Sequence, residues 1–138
     1  MTTPLPQPGE LTSLVLRTDF SDDEAWREVQ AAYGDDHATY VDDPAYDGAT
    51  IADLVDADGD AGEDDKVFDL FVADATTMTD DEHPLLAIDL ADEPGRTFRV
   101  RPDLFASVST NLALANQDFS SFADLADETG TFRGHPGI

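Results

Sequence analysis

Residues 56–65 read DADGDAGEDD, six carboxylates in ten positions with two glycines among them. A cluster of this kind raises calcium chemistry first. A loop of the EF-hand type starting at Asp56 would use Asp58 and Asp60 as its next ligands. It then needs glycine at its sixth position, where Ala61 stands, and a bidentate glutamate at its twelfth, where Val67 stands. Both requirements fail, so the stretch reads as a solvated acidic loop at 56–66 between a helix and a strand.

A second constellation is scattered along the chain. Asp19, Asp74 and Asp89 each stand at or near the end of an apolar run. In an open parallel α/β sheet such residues gather at the carboxyl edge, where ligands bind. They are the weak metal candidates, and a metal-assisted hydrolase or phosphate-handling domain is the chemistry they would serve. The usual companions are missing: no lysine follows a late strand, and TDFSD lacks a second aspartate at the spacing a phosphoaspartate hydrolase uses. The plainer role for Asp19 and its neighbours is to accept from turn and helix-start amides. His37, His83 and His135 lack metal-ligand spacing, and neither a Gly-x-Ser-x-Gly elbow nor a phosphate-cradling glycine loop is present. No catalytic residue, metal or cofactor is assigned, and a non-enzymatic protein is the first expectation.

Arg96, Arg99 and Arg101 are the third group, three of the six arginines within six residues of an acidic chain. On the outward face of a strand they would form a cationic stripe able to fork onto carboxylate or phosphate, so they are the candidate partner-binding residues. The competing role is internal pairing with some of the 31 carboxylates.

Charge sets the broader limits. The 138 residues carry 31 acidic and 7 basic side chains, a formal net charge of −24. Direct binding to nucleic acid or to an anionic membrane needs the opposite sign. With no cysteine there is no disulfide framework, and no apolar run reaches the length of a membrane span. A cytoplasmic location is the expectation. At 41% hydrophobic the chain can fill one core.

The elements that would hold these side chains follow from periodicity. LTSLVLRT (11–18) reads as a strand buried on both faces. Ser21 and Glu24 form a capping box for a helix over 22–33, with Trp26, Val29 and Tyr33 on one stripe and Gly34 at its end. ATYV (38–41) is a short strand, and Thr50 caps a helix carrying Ile51, Leu54 and Val55. KVFDLFVA (66–73) is a strand, TTMTDDEHP a connection, and LLAIDL (85–90) and TFRVR (97–101) suit an antiparallel hairpin across a Pro-Gly turn. A helix starts at Pro102 and carries Leu104, Phe105, Val108 and Leu112. Asn116 to Asp118 interrupts it, and Asp118 caps a last helix with Phe119, Phe122 and Leu125 that stops near Gly130. The expected fold is a single-domain α/β layer sandwich, a mixed sheet of about five strands with three or four helices. A flexible Pro-rich lead covers 1–10, the domain 11–134 and a tail 135–138.

The phrases LRTDFSDDEAW, VDDPAYDG, FVADATT, HPLLAIDLADEPGRTFRV, NLALANQDF and GTFRG together resemble a family of small bacterial proteins known only as a domain of unknown function. The resemblance runs from about Leu11 to Gly134 and departs from the family in the extra acidity at 56–65 and in Gln117, where methionine is usual. It implies a shared fold and brings no activity, cofactor or catalytic residue. The function expected is a non-enzymatic acidic interaction module for a basic protein partner, of the inhibitor or immunity kind, with the hydrolase as the alternative and a nucleic-acid mimic behind both.

Overall fold

A strand made of Leu14, Val15 and Leu16 has no polar side, so it must be covered from above and below. The computed structural model, which describes residues 5–9, 11–62, 66–114 and 118–134, covers it in that way. Strands β1 (Ser13–Arg17), β2 (Ala38–Val41), β3 (Asp69–Ala73), β4 (Leu85–Asp89) and β5 (Thr97–Val100) form one sheet in the order β2-β1-β3-β4-β5. β2, β1 and β3 are parallel; β3, β4 and β5 are antiparallel. Three longer helices, α1 (Asp23–Tyr33), α2 (Ile51–Gly59) and α4 (Pro102–Ala113), and two short ones, α3 (Ala75–Thr79) and α5 (Phe119–Ala123), complete the α/β layer sandwich.

Strand alternation sorts the core into two layers. Val15, Phe71, Ala87, Phe98 and Val100 turn to one face, where Trp26, Val29 and Tyr33 of α1, Phe105 and Val108 of α4 and Phe122 of α5 pack on them. Leu14, Leu16, Leu70, Val72 and Ile88 turn to the other, covered by Leu54 and Ala57 of α2 and by Leu5. The rings interlock edge to face: Phe105 meets Tyr33 at 5.1 Å and Phe71 at 5.0 Å between centroids. Each fully buried phenylalanine contributes about 1.5–3 kcal/mol from area alone.

Local expectations shift by small amounts. α1 is capped by Asp22, whose side chain accepts from the Ala25 amide, and not by Ser21. The Ser21 amide is itself taken by Asp19 Oδ1 at 2.9 Å, which starts the helix one residue later. Thr50 caps α2 as expected and forms a capping box with Asp53. The stretch 76–84, expected as a connection, contributes most of α3, with Asp74 as its cap. α5 ends at Ala123, short of Gly130, and the following chain turns back so that Thr131 bridges Arg99 beside β5. Asp118 stands at the cap of α5 without a side-chain hydrogen bond to it. Of the expected lead, residues 5–9 have no helix or strand, yet Leu5 is buried and the Gly9 amide donates to Thr39 Oγ1 at 2.8 Å, which ties that piece to β2.

Tyr33 is the polar joint of the larger core. Its hydroxyl lies 2.6 Å from the His83 carbonyl and 2.9 Å from the Val100 carbonyl, and accepts from the Leu85 amide at 3.2 Å. Burial pushes its pKa well above the ordinary phenol value, so it stays a donor at any working pH. Tyr33→Phe leaves two carbonyls and an amide short of a partner in an otherwise unchanged core. Urea denaturation is expected to show a loss of about 1–3 kcal/mol with an unchanged m-value.

Candidate functional site

The parallel half of the sheet winds to both sides of β1: α1 packs on one face and α2 on the other, so the order reverses between β1 and β3. The carboxyl ends of those two strands are where ligands sit in open α/β sheets. Asp19 and Asp74 lie at that edge. Asp89 does not, because β4 runs antiparallel to β3 and Asp89 pairs in register with Asp69 at the start of β3. The three strand-end aspartates are therefore divided between opposite edges. Among the described residues no three acidic or histidine side chains stand close enough to hold one metal ion.

Asp74 has its oxygens taken. Arg99 reaches from β5 and forks onto it, with Nη1 at 3.0 Å from Oδ1 and Nη2 at 2.8 Å from Oδ2. The Thr77 amide and hydroxyl donate to Oδ1 at 3.1 Å each. Burial by itself would raise the pKa of Asp74, but the hydrogen bonds from Arg99 and Thr77 outweigh it and hold the carboxyl below its ordinary value. Beside this pair a hollow of about 200 Å³ opens on the α2 face, lined by Thr18, Thr50, Val72, Asp74 and Leu86.

The other cationic candidates are paired too. Arg96 contacts Glu93 and Asp124, and Arg101 contacts Glu82 at 3.4 Å and Asp103 at 3.3 Å. Arg101 Nε is buried and, among the described residues, has no acceptor. Arg133 joins the same region through Asp127 at 2.9 Å. The stripe thus exists as a row of guanidiniums, each engaged by carboxylates of its own chain.

The acidic stretch takes a different form from the expected loop. α2 continues to Gly59, so Asp56 and Asp58 are helical. Successive residues rotate by about 100°, so Asp58 points away from Asp56 and Asp60, which lie one turn apart, and the three cannot converge on one ion. Asp58 is buried: its Oδ1 accepts from the Val67 amide at 2.7 Å, and its carbonyl accepts from Lys66 Nζ at 2.9 Å. It latches the end of α2 to the approach of β3. That strand begins at Asp69, three residues later than the apolar run suggested. Glu63, Asp64, Asp65, Asn116 and His135 lie outside the described residues. His37 and His83 are held apart, His83 by the Thr77 carbonyl at 2.8 Å and by Glu28 at 3.3 Å.

Two functional-looking side chains were not singled out by sequence reasoning. Arg17 is buried at the end of β1, donating to the Asp19 carbonyl and to Asp23 Oδ1 at 2.9 Å each, with Phe20 stacked 4.5 Å from its Cζ. Alternation from Val15 is the signal that would have found it. Asp69 is the other, facing the candidate Asp89 across β3 and β4. Asp89 gives both oxygens to the turn after β4, accepting from the Ala91 and Glu93 amides at 2.9 Å each. Burial, with added repulsion from Asp89, raises the pKa of Asp69 from 3.8 to about 6. Counting by twos back from Phe71 puts Asp69 on the inward face, which is the legible signal.

A layer sandwich with a doubly wound parallel half, closed by an antiparallel hairpin and pinned by internal carboxylate–guanidinium pairs, is the class these features define. Within it, the chain belongs to the family described as Domain of unknown function (DUF6924), which matches residues 12–135. No curated protein matches the chain. Among the described residues no helix is long and apolar enough to cross a membrane.

Two measurements check this geometry. In a double-mutant cycle of Asp74→Asn and Arg99→Ala, the coupling is expected at about 1–3 kcal/mol, above that of an exposed pair, because both side chains are largely buried. For Asp69 the folded pKa lies above the unfolded one, so its contribution is full below pH 3.8 and is lost as pH rises through about 6. Asp69→Asn should accordingly match the parent near pH 3.5 and exceed its stability above pH 7, by no more than ~3 kcal/mol, in denaturant melts across that range.

Proposed function

We propose that the protein is a non-enzymatic, cytoplasmic interaction module whose acidic surface engages a basic protein partner. The observation that carries this reading is the disposition of charge. Arg17, Arg96, Arg99, Arg101 and Arg133 are each engaged by carboxylates of the same chain, while the net charge stays at −24. The cations therefore shape the fold, and the unneutralised carboxylates face outward at the end of β1, around α1 and between β2 and α2. Such a surface attracts a cationic partner over a distance and speeds the encounter. An inhibitor or immunity role toward a basic toxin or nuclease fits this chemistry. The alternative hydrolase would need Asp19, Asp74 and Asp89 to act together, and they stand at two edges with Asp74 already forked by Arg99.

The test is affinity isolation of the tagged protein from its native cells at moderate salt, followed by reconstitution with the purified partner. One basic protein is expected at one-to-one stoichiometry, with an association rate that falls roughly tenfold or more between low and high salt. Recovery of no stoichiometric basic protein, or a rate indifferent to salt, would refute the reading.

A further inference from the structure

The amino edge of the parallel strands, opposite the Asp74–Arg99 pair, presents apolar side chains to water. Leu11 is 58% exposed, Phe68 56% and Leu114 51%. Leu11 and Phe68 line a cleft of about 250 Å³ whose walls include Asp69 and Leu112. Leu11 and Leu114 line an adjoining hollow of about 290 Å³ that also contains Asp36 and His37, and the two share Leu11 and Ala113. The exposed side chains are thus rims of one continuous surface.

The backbone adds an independent observation. Leu11 has φ 58° and Phe68 has φ 75°, in the left-handed region where bulky side chains are rare. Among the described residues His83, at φ 48°, is the one other non-glycine residue with a positive φ, and the remaining such positions are glycines, as at Gly34 and Gly95. Folding alone favours glycine or asparagine at 11 and 68, which would lower strain and remove apolar area from water. Strained residues that also expose large apolar side chains are a mark of binding surfaces.

Charge identifies what would sit there. Asp69 lines the cleft and, among the described residues, its largely buried carboxylate has no hydrogen-bonding or ionic partner of its own; Asp89 beside it adds repulsion. A purely apolar occupant would bury that carboxylate unpaired, and a second copy of this chain would bring −24 against −24. A cation delivered next to an apolar group resolves both.

We infer that this cleft seats a short segment of the basic partner in which a bulky apolar side chain stands beside a lysine or arginine, an inference that rests on the interaction-module reading and locates its contact. The apolar group packs between Leu11, Phe68 and Leu112, and the cation meets Asp69.

The probes are two synthetic capped peptides, one of lysines around a central phenylalanine and one of lysines alone, titrated calorimetrically into the full chain at about 0.15 M salt. The phenylalanine peptide is expected to bind about tenfold or more tightly than the all-lysine peptide, from burial of one aromatic ring. Leu11→Gly and Phe68→Gly should erase that preference while raising thermal stability, since glycine relieves the left-handed strain; a purely structural role predicts lower stability instead. Asp69→Asn, which keeps the shape, should weaken both peptides and flatten the salt dependence. Ile51→Ser, at an exposed apolar residue on α2, should change nothing. Undiminished binding by both glycine variants would overturn the cleft assignment and leave the module reading standing, whereas no binding of either peptide to the parent would overturn both. Self-association in sedimentation that Phe68→Gly abolishes would overturn it in favour of a second copy.

Discussion

Two-sided burial of β1 and β3 is the constraint from which the rest of the architecture follows. Leu14, Val15, Leu16, Leu70 and Phe71 are fully inaccessible, so neither face of the central strands can be left to solvent. One helix per crossover must then go to each side, α1 to one and α2 to the other, and that division places a crevice between β1 and β3. Leu5 is drawn onto the α2 side to finish a layer that one short helix leaves incomplete. The antiparallel β4–β5 hairpin extends the sheet where α4, α5 and Phe132 supply a cluster of aromatic rings.

Electrostatics is subordinate to this frame and also reinforces it. With 31 carboxylates and 7 cations, a guanidinium always has acids at hand, and the chain places several where two parts of the fold must be joined. Arg99 links β5 to the cap of α3 across β4; Arg17 links the end of β1 to the first turn of α1. Half-buried pairs of this kind couple more strongly than surface pairs because water screens them less, provided their remaining hydrogen-bonding sites are filled. Thr77 fills them for Asp74, and the Asp19 carbonyl does so for Arg17.

The two edges of the parallel half consequently differ in character. At the carboxyl edge, acids cap helices or receive arginines, and the groups that could have formed a reactive centre are engaged in holding the structure. At the amino edge, a carboxylate without a partner among the described residues, two left-handed bulky residues and a row of exposed apolar side chains coincide. Those features cost folding stability, and their coincidence at one edge sets it apart from the carboxyl edge.

Much of the fold was legible in the sequence because its signals are local. The two-residue alternation of TFRV, the Thr50 cap, Pro102 at a helix start and the Pro-Gly turn each depend on a few neighbouring residues, and all of them appear where they were expected. Boundaries moved where local signals competed, as when Asp19 took the Ser21 amide and passed the capping of α1 to Asp22. The candidate site was less legible. Whether Asp89 would join Asp74 turned on the direction of one strand, which no short stretch encodes, since an apolar run pairs equally well either way. Composition likewise required that arginines find acids but left open which ones. Only the tertiary structure decided that Arg99 takes Asp74, that Asp58 holds the Val67 amide, and that Leu11, Phe68 and Asp69 share one cleft, because each joins residues that chain closure brings together and sequence spacing does not.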